Sequence, residues 1–467
     1  MRSIREECGV FGAFSPQSAH LAPLCFSALC ALQHRGQEGC GIAISSKGHF
    51  TYYKNTGLVG DVFKPQILEK LGAGEIGIGH VRYCTTGPNN RTNAQPILIN
   101  HIKEPLAVVH NGNLVNSLEL RRELELQGYI FHTSSDTEVI AYLIAKNRLK
   151  TSSLEEAIQA ATPHLQGAYS LVIMSPSKLI ALRDPFGFRP LCYGKTAEGI
   201  AVVASESCAL DALGATALKD IAPGEMVSFS AEGIQTSHIP QKATSKICSF
   251  EYIYFARGDS VLEGKSVYLA RLRAGAYLAK IHPVEADIVV GVPDSGIDAA
   301  LGYAEASGIP YAVGFIKNRY ISRTFITPQA EREEKLRLKL NPIIPNLKGK
   351  RIILVDDSIV RGNTTKRIAT LLRNVGVKEI HMRISSPPFI HPCFYGTDID
   401  SEEHLIACKH STEQIAQILG VDSLVYLPLE GIAYMLEGLG FCAACFGGGY
   451  PTPIPSEQIR LSAPTHI

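Results

Sequence analysis

The sequence predicts an α/β protein of two domains, the second built on a parallel sheet. Three observations carry this. The first half alternates short apolar runs with helical patterns across Gly and polar turns, whereas the second alternates near-continuous apolar strands with helices. Between them, residues 231–246 (AEGIQTSHIPQKATSK) turn polar and lose periodicity. A chain of 467 residues is also longer than one ordinary core supports.

In the first half, strands are expected at 41–44, 105–110, 169–174 and 201–204. Helical patterns fall at about 65–70, 117–127, 137–147 and 153–161, with Asp136 or Thr137 as the expected cap of the third. In the second half, apolar strands at 286–292, 351–355 and 379–384 alternate with helices at 297–306 and 364–374. Strands apolar on both faces and separated by helices imply a parallel sheet with right-handed crossovers.

Composition narrows the function. With 45% hydrophobic and 19% charged residues the chain reads as globular, and its formal net charge of +1 gives no footprint for nucleic acid or an anionic membrane. No apolar run approaches the roughly 20 residues needed to span a bilayer. MRSIREE is followed by no secretory apolar region, so the expected compartment is the cytoplasm. Twelve cysteines in a reducing compartment read as metal ligands, catalytic thiols or small core residues rather than disulfides. Cys25, Cys30, Cys40, Cys192, Cys208 and Cys408 stand singly among apolar or helical neighbours and read as core.

The string ILVDDSIVRGNTT puts Asp356 and Asp357 at the C-terminal end of a buried strand, followed by Ser358, Gly362 and a hydroxyl-rich helix start at Thr364 and Thr365. Ligands of open α/β sheets bind outside the carboxyl ends of the strands. Adjacent carboxylates there suit a ribose diol, held directly or through Mg²⁺, and the helix N-terminus suits a phosphate. The bland alternative is a turn followed by a helix cap. The whole string resembles the phosphoribosyl-pyrophosphate (PRPP) loop of type I phosphoribosyltransferases, with Asn363 where that family usually has Thr. The resemblance implies PRPP contacts from Asp356, Asp357, Ser358, Arg361, Gly362, Asn363, Thr364 and Thr365. It also implies a pyrophosphate loop at VGVPDSG, with Asp294 and Ser295. One Mg²⁺ per subunit is expected at Ser295, Asp356 and Asp357, because a hard cation neutralises charge on the leaving pyrophosphate. The segment GFIKNRYISRTFI carries Lys317, Arg319, Tyr320 and Arg323. It reads either as a solvated basic loop or, by the same resemblance, as a lid that excludes water, with Lys317, Tyr320 and Arg323 touching PRPP.

Cys8 follows a seven-residue leader, and an N-terminal thiol can be activated by its own α-amino group. Alone, Cys8 reads as a buried structural cysteine and HNGN as a hairpin. In series, however, ECGVFGAF, HRGQEGCG, GHVRYCTTG, HNGNLVN and SSDTE resemble the class II glutamine amidotransferases of the N-terminal-nucleophile type. That resemblance implies an αββα sandwich over 8–235 and removal of residues 1–7. It makes Cys8 the nucleophile, Asn111 and Gly112 the oxyanion hole, and Arg35, Arg82, Thr85, Gly112 and Asp136 the glutamine pocket. Arg82 suits the α-carboxylate of glutamine and Asp136 the α-ammonium, while Arg35 supports the nucleophile end. Cys84 stands where that family commonly has proline or a small residue.

The two modules in this order, with 236–467 as the phosphoribosyltransferase, resemble the family that joins glutamine hydrolysis to phosphoribosylamine synthesis. Cys248, Cys393 and the CxxC pair Cys442/Cys445 could hold Zn²⁺ or a 4Fe–4S cluster on spacing alone. The bacterial branch that this chain resembles implies one 4Fe–4S cluster per subunit at these four positions. The resemblance further implies a homotetramer and feedback inhibition by purine nucleotides.

Overall fold

In the computed structural model, which describes residues 8–83, 89–318, 340–399 and 401–455, the first domain is two antiparallel sheets face to face with helices outside. Its strands are β1 (Gly9–Ala19), β2 (Gly39–Ser46), β3 (His49–Thr56), β4 (Gly74–Arg82), β5 (Ile97–Ile99), β6 (Leu106–Leu114) and β7 (Gly167–Met174). They continue as β8 (Leu179–Arg183), β9 (Cys192–Lys195), β10 (Ala201–Ala204), β11 (Thr216–Asp220), β12 (Glu225–Ser230) and β13 (Gly233–His238). One sheet runs β11-β9-β10-β1-β4-β2-β3, the other β13-β12-β8-β7-β6-β5.

The period of two explains why β1 reads as a solid apolar run. Val10 and Phe14 face the core between the sheets, with Ala107, Val109 and Val172. Phe11 and Ala13 face outward onto the helix Leu21–Ala31. Gly12 lies on the inward face, where a Cβ would come 2.7 Å from Val172 Cγ1. The second sheet buries its outer face under the helices Ser117–Leu126, Asp136–Arg148 and Leu154–Ala161. This is the expected αββα sandwich.

The second domain contains β14 (Ile247–Cys248), β15 (Val261–Leu262), β16 (Lys265–Ser266), β17 (Ile288–Gly291), β18 (Phe315–Lys317) and β19 (Leu340–Pro342). Then come β20 (Arg351–Asp356), β21 (Glu379–Ile384), β22 (Ser423–Tyr426) and β23 (Phe441–Cys442). The sheet β17-β20-β21-β22 is parallel throughout. Val289, Ile353 and Val355 fill one core and Ile288, Ile352 and Leu354 the other, which accounts for strands apolar on both faces.

Three expectations need correction. A boundary at 235/236 cuts through β13, which pairs with β12 from Gly233 to His238. Its exposed edge position leaves a polar sequence with no apolar signal, so the first domain's sheet runs to His238. The cap of the helix Asp136–Arg148 is Ser135, whose hydroxyl accepts from Thr137 N. Cys30 and Cys408 are exposed, whereas Cys25, Cys40, Cys192 and Cys208 are buried as expected. Among the described residues no helix is long and apolar enough to cross a membrane.

Candidate active site

Cys8 lies immediately before β1, buried against the end of β4. Its Sγ sits 3.4 Å from Tyr83 O and 3.5 Å from Tyr83 N, so the Tyr83 backbone brackets the sulfur. Arg82, the last residue of β4, is buried beside it. Arg35 reaches Cys8 from behind, its Nε donating to Cys8 O at 3.1 Å. The rest of the Arg35 guanidinium is committed to Glu206 at 2.6 Å and to Glu251 at 2.7 and 2.9 Å. The Arg35 side chain is thus fully buried, with ion pairs on one side and Cys8 O on the other.

Asn111 and Gly112 lie inside β6, paired with Ser170 and Tyr169 of β7, so HNGN is strand and not a hairpin turn. Gly112 has φ +142°, and a Cβ there would fall 2.1 Å from Ala168 O, so only glycine fits. Asn111 is 1% exposed, and its Nδ2 finds no hydrogen-bond partner among the described residues. A buried, unspent donor beside a position that only glycine can occupy suits a developing oxyanion. Asp136 begins its helix and accepts from Leu114 N at 3.0 Å, with His110 Nδ1 at 3.5 Å from its other oxygen. Burial pushes the Asp136 carboxyl up, but His110 and the backbone donors outweigh it and hold it below the usual range. Thr85 lies outside the described residues.

In the second domain β17 and β20 are parallel neighbours, so the loops after them leave side by side at the C-terminal edge of the sheet. Gly296 permits that contact: a Cβ there would stand 2.6 Å from Val355 O. Ser295 and Ser358 both donate to the Asp357 carboxylate, and Asp357 N donates to Asp356 Oδ1 at 2.9 Å. Burial raises both carboxyls, and the Asp357 charge raises Asp356 further. Such a pair calls for a cation or for hydroxyl donors. Gly362, at φ +75°, turns the chain into the helix Asn363–Asn374, whose first turn carries Thr364 (exposed) and Thr365 (buried). Lys317 pairs with Asp294 at the rim. Arg319, Tyr320 and Arg323 lie outside the described residues.

Cys248, Cys393, Cys442 and Cys445 line one cavity with Phe188, Tyr395 and Tyr450. β14 and β23 set two of them side by side, in register at Cys248 and Cys442. Cys393 Sγ accepts from Tyr395 N at 3.4 Å. Burial pushes Cys442 up to about 12, and burial and then its three sulfur neighbours push Cys445 well up. Among the described residues no three His, Cys, Asp or Glu side chains are gathered as a site for a single metal ion.

A glutamine amidotransferase domain model matches residues 80–212 and a phosphoribosyl transferase domain model residues 270–385. The amidophosphoribosyltransferase of Methanocaldococcus jannaschii is 49% identical, the match covering 97% of this chain and 99% of that protein. That of Bacillus subtilis is 46% identical over 98% and 97%. The chain belongs to the amidophosphoribosyltransferase family. A solved glutamine PRPP amidotransferase from B. subtilis, complexed with ADP and GMP, superposes with a TM-score of 0.89 at 46% identity, covering 96% of this chain and 98% of that one. A structure described as the allosteric regulatory enzyme of purine biosynthesis gives 0.90, also at 46% identity, over 96% and 97%.

Amidophosphoribosyltransferases convert glutamine, PRPP and water to 5-phosphoribosylamine, glutamate and pyrophosphate, the first step of de novo purine synthesis. This chain carries out that reaction, and its two domains divide it. Sequence reasoning missed Glu206, Glu251 and His110, which stand behind the residues it named. EYIYFARGDS held the clue to Glu251, an acid among aromatic residues with no adjacent base to pair with.

Proposed function

We propose that Cys8, once residues 1–7 are removed, is the glutaminase nucleophile, and that ammonia passes inside the protein to PRPP. The observation that carries this reading is Cys8 Sγ bracketed by the Tyr83 backbone at 3.4 and 3.5 Å, with the unspent Asn111 donor and Gly112 in the same domain. The Cys8 α-amine takes the thiol proton, and the sulfur attacks the glutamine amide carbon. Asn111 Nδ2 and Gly112 N–H stabilise the oxyanion. Arg82, Thr85 and Asp136 hold the amino-acid end, and Arg35 holds Cys8. The tetrahedral intermediate collapses to a thioester, the returned proton leaves with ammonia, and water releases glutamate.

In the second domain Asp356 and Asp357 hold the ribose, while Ser358, Arg361, Gly362, Asn363, Thr364 and Thr365 cradle the 5-phosphate. Asp294, Ser295, Lys317, Tyr320 and Arg323 take the pyrophosphate. Ammonia attacks the anomeric carbon as the free base, the C–O bond to pyrophosphate breaks, and the amine then loses a proton. The raised carboxyls beside Ser295 fit a divalent cation, and one bound Mg²⁺ per subunit would neutralise the leaving group's charge.

The four cysteines fit one 4Fe–4S cluster per subunit. They form an all-thiol set around a shared cavity, with a backbone N–H on one sulfur, and burial raises the Cys442 and Cys445 thiols. Bound there, a cluster would tie β14 to β23 without touching substrate. Purine nucleotides as inhibitors, a homotetramer and a cytoplasmic location complete the proposal; the B. subtilis relative solved with ADP and GMP motivates the first.

Cys8→Ala is expected to lose glutamine-dependent synthesis and keep ammonia-dependent synthesis. A folded variant that loses both sinks this division of labour. Intact mass and iron content of one anaerobic sample report the mature N-terminus and the cluster together. Retention of residues 1–7, or zinc in place of iron, overturns the corresponding part.

A further inference from the structure

We infer that Glu251, a carboxylate supplied by the second domain, is a positioning residue of the glutaminase, fixing Cys8 through the Arg35 guanidinium. Glu251 opens the short helical turn Glu251–Phe255, just after β14, and is fully buried. Its Oε1 accepts from Arg35 Nη2 at 2.7 Å and its Oε2 from Arg35 Nη1 at 2.9 Å, a fork-on-fork pair. That pairing sets the plane of the guanidinium, and the plane sets the direction of Nε, which donates to Cys8 O at 3.1 Å.

The same carboxylate also meets Arg189 Nη1 at 3.3 Å. Arg189 in turn donates to Tyr395 O at 2.8 Å, and the next residue, Gly396, lies against Gly112: a Cβ there would be 3.5 Å from Gly112 C. Glu206, the other acid on Arg35, leans on the second domain as well, accepting from Ser260 Oγ at 2.7 Å and Arg257 N at 2.9 Å. His34 touches the outer edge of Glu206 at 2.7 Å. Among the described residues, Arg35, Arg189, Glu206 and Glu251 thus meet in a fully buried cluster at the domain junction.

Burying four charges is costly before pairing, so such a cluster is poor evidence for stability. What it secures is geometry. The nucleophile of the first domain is held by a donor whose orientation the second domain dictates. The glutaminase is therefore incomplete without the 249–260 segment, and a shift of that segment reaches Cys8 through two hydrogen-bonded contacts.

The test is Glu251→Gln in the full mature enzyme, which keeps the volume and removes the charged fork. This inference rests on Cys8 as nucleophile, so Cys8→Ala runs in parallel; retained glutaminase there fails that reading whatever Glu251 does. Glu251→Gln is expected to lower kcat for glutamine hydrolysis on the order of 10²-fold, as a misplaced nucleophile does. It should leave the glutamine KM within about twofold. Alkylation of Cys8 by a glutamine-like diazoketone should slow in parallel, and ammonia-dependent synthesis should persist. Arg35→Lys should show the same signature, and the double variant should be no worse than the poorer single one, because both act through one hydrogen bond. If Glu251→Gln does not fold, Glu251→Asp keeps the charge and is expected to show the same kcat-only loss, smaller in size. An unchanged kcat, a loss shared equally by ammonia-dependent synthesis, or effects that multiply in the double variant would each overturn the inference.

Discussion

Replacing Asn111 with alanine separates catalysis from stability. Asn111 Nδ2 is buried without a partner among the described residues, so the folded protein already carries an unsatisfied donor, worth about 1–3 kcal/mol. Deleting it relieves that cost, while the small cavity left behind opposes the gain, so stability should move by no more than about 1 kcal/mol. The barrier behaves differently. If Nδ2 is spent only on the oxyanion, its loss should lower glutaminase kcat by about 10²–10³, or roughly 2.7–4 kcal/mol, with little change in KM. Glutamate release gives the kinetics, pyrophosphate release with ammonia gives the second domain's activity, and thermal unfolding gives stability. A kcat within about threefold of the parent, or a parallel fall in the ammonia reaction, refutes the oxyanion assignment.

Other changes should leave different signatures. Gly112→Ala forces a Cβ to 2.1 Å from Ala168 O at φ +142°, so it should lose glutaminase and also lower the unfolding midpoint by several degrees; an unshifted midpoint contradicts the strain. Asp357→Asn should cut synthesis from glutamine and from ammonia alike by about a hundred-fold or more while Cys8 still alkylates, and a loss confined to glutamine would be the wrong outcome. Burial of His80, only partly opposed by the His110 carbonyl, lowers its imidazole from 6.5 to about 3. Between those values the unfolded chain takes up a proton that the folded chain does not. Stability should therefore fall on acidification below pH ~6.5, by up to about 1.4 kcal/mol per pH unit from this group. His80→Gln should flatten the denaturation midpoint against pH, and an identical slope counts against it.

Much of the molecule could be read before any coordinates. Local chemistry sufficed wherever one segment carries its own geometry: ILVDDSIVRGNTT is a strand, a loop and a helix start within a single stretch, and all three appear where expected. The same holds for the apolar strands of the parallel sheet, whose two-sided burial leaves no polar alternation to misread. Where an element's role depends on distant partners, sequence reasoning stopped short. HNGN carries a turn composition, yet β7 pairs with it residue for residue, so a strand prevails over the local preference. β13 has the polarity of a linker because only its edge hydrogen bonds, not its side chains, hold it in the sheet.

What the sequence by itself determined is the pair of modules, their order, Cys8 as nucleophile candidate and the acidic pair at the end of β20. Those rest on short motifs, each within one stretch of chain, and on the families that these motifs resemble. Only the tertiary structure decided what stands behind Arg35. Arg35 lies 27 positions from Cys8 and 216 from Glu251, so no window of sequence contains the contact that orients it. A buried ion pair depends on distance through space and on exclusion of water, and both exist only once the two domains have closed on each other.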